Sequence, residues 1–237
     1  MSLSHSPLIV RDGLVLCLDA ANPRSYPKSG TTWSDLAGAN DGTLTNMDAS
    51  NFSSSNGGSL SFDGSNEYVH LGDPSSTEGV NGLTVSAWVS IDQFSPSADA
   101  FFSRDGAAGS RGWYLGSWNH SNTGGLNIVR WLMSTDGSST DALNTSELLV
   151  NTWYSVTGTW DNSKMKIYVN GFLNNSINTS NTSSPTPNLS ESLKIGLRLP
   201  GGSNYFNGNL ALGQIYNRAL TAEEVQQNYR ATKGRYK

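Results

Sequence analysis

Between Leu83 and Ile91 apolar and polar positions alternate without a break, Leu83, Val85, Ala87, Val89 and Ile91 against Thr84, Ser86, Trp88 and Ser90. A period of two puts each set on its own face, so this stretch predicts a β-strand with one buried side. Apolar runs of strand length recur at Leu14–Leu18, Ala100–Ser103, Trp113–Gly116, Leu126–Met133 and Leu193–Leu197, separated by Gly- and Ser-rich loops. Trp153–Trp160 and Met165–Val169 pair across the turn Asp161–Lys164, and Asn170-Gly171 is a type I′ signal leading into Phe172-Leu173. Ser59–Asp63 and Tyr68–Leu71, flanking Gly64-Ser65-Asn66, predict a hairpin. The stretch Asn22–Gly38, with Pro23, Pro27 and Gly30, reads as a surface loop pinned by Trp33 and Leu36.

Near the end the period changes. Leu210, Leu212 and then Ile215, after a bulge placed at Gly213, predict a long last strand with those three residues buried. Thr221-Ala-Glu-Glu224 is a capping box, with Thr221 as N-cap and Glu224 at N3, and Leu220 and Val225 stand where a hydrophobic staple would join. About a dozen strands and one short terminal helix imply an all-β fold of two packed antiparallel sheets. No internal repeat or linker divides the chain, so one domain over 1–237, with a core at about 14–229, is expected.

Composition makes that core feasible despite only 36% hydrophobic residues, because 7 Trp, 9 Tyr and 7 Phe each bring a large area to bury. The net charge of −4 and the scattered Lys and Arg argue against nucleic-acid binding. No segment has the ~18 consecutive apolar residues of a membrane span. Met1–Pro7 lacks both a basic and an apolar stretch, so no signal peptide is expected. Cys17 is the sole cysteine and stands in an apolar run, where it reads as a small core residue.

The order of blocks carries a family resemblance. Gly82-Leu-Thr-Val-Ser-Ala-Trp-Val89, Thr152-Trp-Tyr-Ser-Val156 with Lys166–Gly171, and Phe206-x-Gly208 with Ile215–Leu220 resemble the laminin G-like, concanavalin A-like jelly roll family over about Leu14–Tyr229. The runs Leu16–Asn22, Ser25–Pro27, Gly30–Leu36, Gly58–Gly64 and Asn228–Arg235 look like a subgroup found in structural proteins of tailed bacteriophages. The resemblance implies a virion structural protein, assembled in the host cytoplasm as a capsid decoration or tail component. Other virion proteins and cell-surface glycans would be its partners, and it would be oligomeric in the particle. The alternative is a carbohydrate-binding lectin module of a cellular surface protein. Family members often carry an acidic residue shortly after Phe-x-Gly, where this chain has Ala211, which weakens a calcium site there.

The chemistry-bearing residues narrow the reading further. Glycoside hydrolysis needs two carboxylates flanking one bond. Glu67, Glu78, Glu147, Glu191, Glu223 and Glu224 form no alternating acidic array, His5, His70 and His120 lie far apart, and no Gly-x-Ser-x-Gly elbow occurs. No enzyme activity and no cofactor are expected. For calcium, Asp161 with Asn162, Asp63 with Asn66, and Asp19 with Asn22 are conceivable ligands, each also explained as a turn former. For a sugar, Arg111, Trp113, Trp118, Asn119 and His120 put rings and amides beside flexible loops. Residues Met1–Val10 and Ala231–Lys237 fall outside the expected sandwich and are candidate docking segments.

Overall fold

The computed structural model describes residues 7–107, 109–119, 124–180, 191–199 and 204–236. Two eight-stranded antiparallel sheets pack face to face. The first runs β14 (Phe172–Asn178), β13 (Lys164–Val169), β12 (Trp153–Trp160), β7 (Leu83–Gln93), β18 (Asn207–Tyr216), β5 (Ser59–Asp63) and β4 (Phe52–Ser53), with β1 (Leu14–Asp19) also paired to β18. The second runs β11 (Asp141–Asn144), β10 (Ile128–Met133), β9 (Trp113–Trp118), β8 (Phe102–Arg104), β15 (Lys194–Ile195), β6 (Tyr68–His70), β3 (Gly42–Thr45) and β2 (Thr32–Trp33). A two-stranded ribbon of β16 (Leu197–Arg198) and β17 (Asn204–Tyr205) flanks them, and one helix, α1 (Ala222–Thr232), follows β18.

The core between the sheets is aromatic, with Trp33, Trp113, Trp131, Trp160, Phe101, Phe102 and Phe206 all fully buried. Close packing explains two glycines. A Cβ on Gly213 would sit 2.4 Å from Phe102 Cζ, and one on Gly158 2.6 Å from Trp131 Cδ2. The expected β12–β13 pairing forms, and the type I′ turn has φ of 51° at Asn170 and 79° at Gly171. Trp33 anchors its loop as expected, whereas Leu36 remains exposed.

Two sequence expectations are corrected. Ser59–Asp63 and Tyr68–His70 do not form a hairpin: β5 pairs with β18 in the first sheet and β6 with β3 and β15 in the second. Phe62 and Val69 enter the core from opposite sheets, and Glu67 secures the crossing by accepting from Asp63 N at 2.8 Å and Asn51 Nδ2 at 2.8 Å. The bulge in β18 falls at Ala211, not at Gly213: Leu210 opposes Val89 and Leu212 opposes Trp88, leaving Ala211 extra. That one residue turns Leu212 to the outer face of the first sheet while Leu210 and Ile215 stay in the core.

The outer face of the first sheet is closed by both chain ends. Thr221 caps α1 by accepting from Glu224 N at 3.3 Å, and Glu224 returns a bond to Thr221 N at 2.9 Å, with Leu220 and Val225 both buried. Tyr236 stacks on Trp88 with ring centroids 4.0 Å apart, and Trp88 Nε1 donates to Thr232 Oγ1 at 2.8 Å. Arg235 pairs with Asp19 at 2.8 Å, and Asn228 holds Val10 N at 2.8 Å. The segments 7–10 and 231–236 therefore pack against the sandwich instead of falling outside it; residues 1–6 and Lys237 lie outside the described residues. Cys17 is buried here as expected, and burial pushes its thiol up to about 12, well above reactive range.

Candidate functional site

The outer face of the second sheet is shaped differently. Along β9, Trp113 and Leu115 point into the core, so Tyr114 and Trp118 point outward. On the neighbouring β10, Val129 and Trp131 point inward, leaving Arg130 and Leu132 outside. In the ladder Tyr114 opposes Leu132, and Arg130 opposes Gly116, which has no side chain to fill the space. Segment 95–100 lies against β9 at this point. A Cβ on Gly116 would fall 1.9 Å from Asp99 O, so only glycine allows the approach. The segment is fastened by Asn119 N donating to Ser95 O at 2.8 Å and Trp118 Nε1 to Pro96 O at 3.3 Å. Asp99 accepts from Ser117 N at 2.9 Å and bonds Ser117 Oγ at 2.8 Å. Burial, offset only in part by these bonds, raises the Asp99 carboxyl to about 7.

Between that segment and the β16–β17 ribbon lies a groove of about 390 Å³, floored by Tyr114, Leu132 and Trp118 and edged by Arg111, Arg130 and Arg198. Its size falls within the roughly 300–1,000 Å³ common for small-molecule sites. The Arg130 guanidinium lies 3.5 Å from the Trp118 ring centroid, and that of Arg198 lies 4.3 Å from Tyr114. Asp105, fully buried, holds Arg111 Nε at 2.9 Å and Arg198 Nη2 at 2.9 Å. A groove with flat rings at its base and fixed hydrogen-bond donors at its edge can seat a hydroxylated ring.

Of the five candidate sugar residues, the structure brings Arg111 and Trp118 into this groove. Trp113 is corrected: it is fully buried, its ring 6.3 Å from that of Trp131, and it offers no face to a ligand. Asn119 sits at the end of β9 and spends its amide on Asn127 Oδ1 at 2.6 Å, and His120 lies outside the described residues. Tyr114, Arg130 and Arg198 were missed. A charge inside the apolar run Ile128-Val-Arg-Trp-Leu132 was the available signal for Arg130; Arg198 gave none, since only the fold brings the ribbon to β9.

The calcium candidates are engaged in local structure. Asp161 accepts from Ser163 N and Lys164 N, Asp63 from Ser65 N, and Asp19 from Ala21 N and Arg235. Among the described residues no three His, Cys, Asp or Glu side chains gather as metal ligands. Ala211 is buried beneath the terminal helix with Cys17 and Trp88. A second hollow, of about 480 Å³ beside Ile9, Arg11 and Leu36, contains no aromatic ring.

Residues 63–226 match the laminin G type family model of the concanavalin A-like lectin/glucanases superfamily. The chain belongs to that superfamily. No curated protein sequence matches it significantly. Among solved structures it is similar to the binding domain of botulinum neurotoxin serotype D/C, with a TM-score of 0.69 and 15% identity over 94% of this chain and 53% of the toxin domain. It is also similar to domain 4 of AbnA, an extracellular arabinanase of Geobacillus stearothermophilus solved with arabinotriose, with a TM-score of 0.61 and 17% identity over 91% of this chain and 98% of that domain. A third is the Trypanosoma rangeli sialidase, with a TM-score of 0.66 and 16% identity over 99% of this chain and 36% of the sialidase. The chain spans about half the length of the toxin binding domains it resembles. At such identities these likenesses establish the fold.

Proposed function

We propose that the chain is a non-catalytic carbohydrate-binding module that seats a sugar in the groove beside Trp118. The observation that carries this reading is the groove itself, in which the half-buried Trp118 ring stands beside three guanidinium groups, with Tyr114 buried beneath Arg198. Stacking of a sugar face on an aromatic floor, with donors at the rim reading hydroxyls, is the chemistry such a lining supplies. The fold neighbours support it. One toxin domain was solved with N-acetylneuraminic acid, and the arabinanase domain with arabinotriose. The glutamates support the absence of catalysis: Glu67 holds the sheet crossing, Glu78 neutralises buried Arg104, and Glu224 caps α1.

The subgroup resemblance of the N- and C-terminal runs supports a finer reading, in which this module is displayed on a phage particle and reads surface glycans for it. A glycan array, run with and without calcium, tests the binding. Binding that Trp118→Ala removes is expected, and an array without a single binder in either condition overturns the proposal. Mass spectrometry of purified particles tests the phage assignment separately, and repeated absence of the intact chain would remove it.

A further inference from the structure

We propose that the groove selects an anionic sugar, one carrying a carboxylate or a sulfate, with Arg130 as the residue that receives the charge. This rests on the glycan-binding reading and adds the ligand class. Arg111, Arg130 and Arg198 line the groove, and a single carboxylate, Asp105, faces them. Asp105 has no exposed side-chain surface and binds both Arg111 and Arg198, so its charge is already committed. Arg130 makes no ion pair among the described residues. It donates from Nε to Asn144 Oδ1 at 2.9 Å and lies over the Trp118 ring. Asp141, at the head of β11, is tied to Ser180 N and Oγ, each at 2.9 Å.

Arg130 is half-buried, and burial followed by the nearby charge of Arg198 pulls its guanidinium below the usual arginine range, against the pull of Tyr114. A partly desolvated cation beside a like charge is unfavourable unless an anion arrives. The excess of positive charge in the groove also runs against the chain as a whole, whose net charge is −4. The rings below fix where the charge is presented: Trp118 and Asn144 hold the guanidinium plane, leaving its fork to match the oxygens of a carboxylate or sulfate. A neutral sugar would leave that charge unanswered.

The test is an array of matched glycans, trigalacturonate against its methyl ester and 3′-sulfolactose against lactose, within a broad neutral and acidic set, followed by calorimetry on the tightest binder. The acidic member should bind at least about tenfold more tightly than its neutral match, the ratio expected of one charge-assisted contact. Whichever pair shows the gap tells a carboxylate from a sulfate. Arg130→Gln should close the gap, Arg130→Lys should retain part of it, and Arg230→Gln, which removes one positive charge from the exposed face of α1, should leave it intact. Circular dichroism melts of each variant separate lost binding from lost folding. Neutral glycans bound as tightly as acidic ones would overturn the charge selectivity and leave the glycan-binding reading standing. No binder on the whole array would remove both.

Discussion

The two outward faces of this sandwich have been put to opposite uses. On the first sheet, the outward positions of β7 are consumed by the chain's own ends: Thr84 holds Leu220 N and Arg218 O, and Trp88 lies under Tyr229 and Tyr236. On the second sheet, the corresponding outward positions of β9 and β10 carry Tyr114, buried beneath Arg198, and the half-buried Trp118 and Arg130, which no helix among the described residues covers. Aromatic rings appear on both faces. What differs is the charge beside them: Arg235 on the closed face has its own carboxylate, Asp19, whereas Arg130 on the open face has none among the described residues. Where the polar groups are answered within the chain, the face is structural. Where one remains unanswered, the face is available for a ligand.

Opening the closed face should have the largest effect on stability. Trp88 is 4% exposed, stacks on two tyrosines and donates to Thr232. Trp88→Ala should cost about 3–5 kcal/mol of stability, measured by urea denaturation. A loss below about 1 kcal/mol would mean that the terminal segment is only loosely applied.

Much of this division was legible in the sequence. The alternation of β7, the capping box at Thr221 and the type I′ turn at Asn170-Gly171 are local signals, and the structure forms each element, although the chain's own terminal segments bury the polar face of β7 as well. The failures are non-local. Nothing near Gly64-Ser65-Asn66 reveals that β5 and β6 belong to different sheets, because sheet membership is decided by partners far along the chain. The bulge went to Ala211 because Gly213 was already required against Phe102, a contact no local pattern records. In the same way Trp113 and Trp118 look alike in sequence, and only the parity of β9 sends one into the core and the other to the groove.

Acidity sharpens the comparison next, since the groups that titrate near neutrality should belong to the open face. Burial raises the folded-state Asp99 carboxyl from 3.8 to about 7. A raised carboxyl favours the protonated native state, so its contribution is fully present below about pH 4 and is lost as pH rises through about 7. Over that window stability should fall by up to roughly 1.4 kcal/mol per pH unit. On the closed face Cys17 is pushed up to about 12, and Tyr216 and Tyr236 are also raised by burial, so none of them titrates in this window. Denaturation midpoints at pH 5, 6, 7 and 8 should fall stepwise for the native chain and stay level for Asp99→Asn. A level profile for the native chain would show that burial does not raise the Asp99 carboxyl in the folded state.

Thr221→Ala tests the hinge of the closed face with a smaller effect. It removes the acceptor for Glu224 N but leaves Glu224 paired with Arg218 at 2.7 Å and the Leu220–Val225 contact in place. The expected cost is about 1 kcal/mol, read from thermal melts, with glycan binding unchanged because the cap lies on the opposite sheet. A cost near zero would mean that the Arg218 pair alone fixes the start of the helix.

The smallest expected effect on stability belongs to the residue with the largest expected effect on binding. Arg130 gains from Asn144 and from the Trp118 ring, contributions of about 0.5–1.5 kcal/mol each. Against these stand its partial desolvation and the repulsion of Arg198, both of which lower its affinity for a proton and oppose its charge in the folded state. The two sides nearly cancel, so Arg130→Gln should change the unfolding free energy by no more than about 0.5 kcal/mol, as for an ordinary surface substitution. Denaturation and glycan titration of the same variant decide the matter together. If Arg130→Gln costs 2 kcal/mol or more, the guanidinium is holding β9 to β10 and the open face is structural after all. If stability is unchanged while acidic-glycan binding disappears, the charge is there for the ligand, and the contrast between the two faces stands.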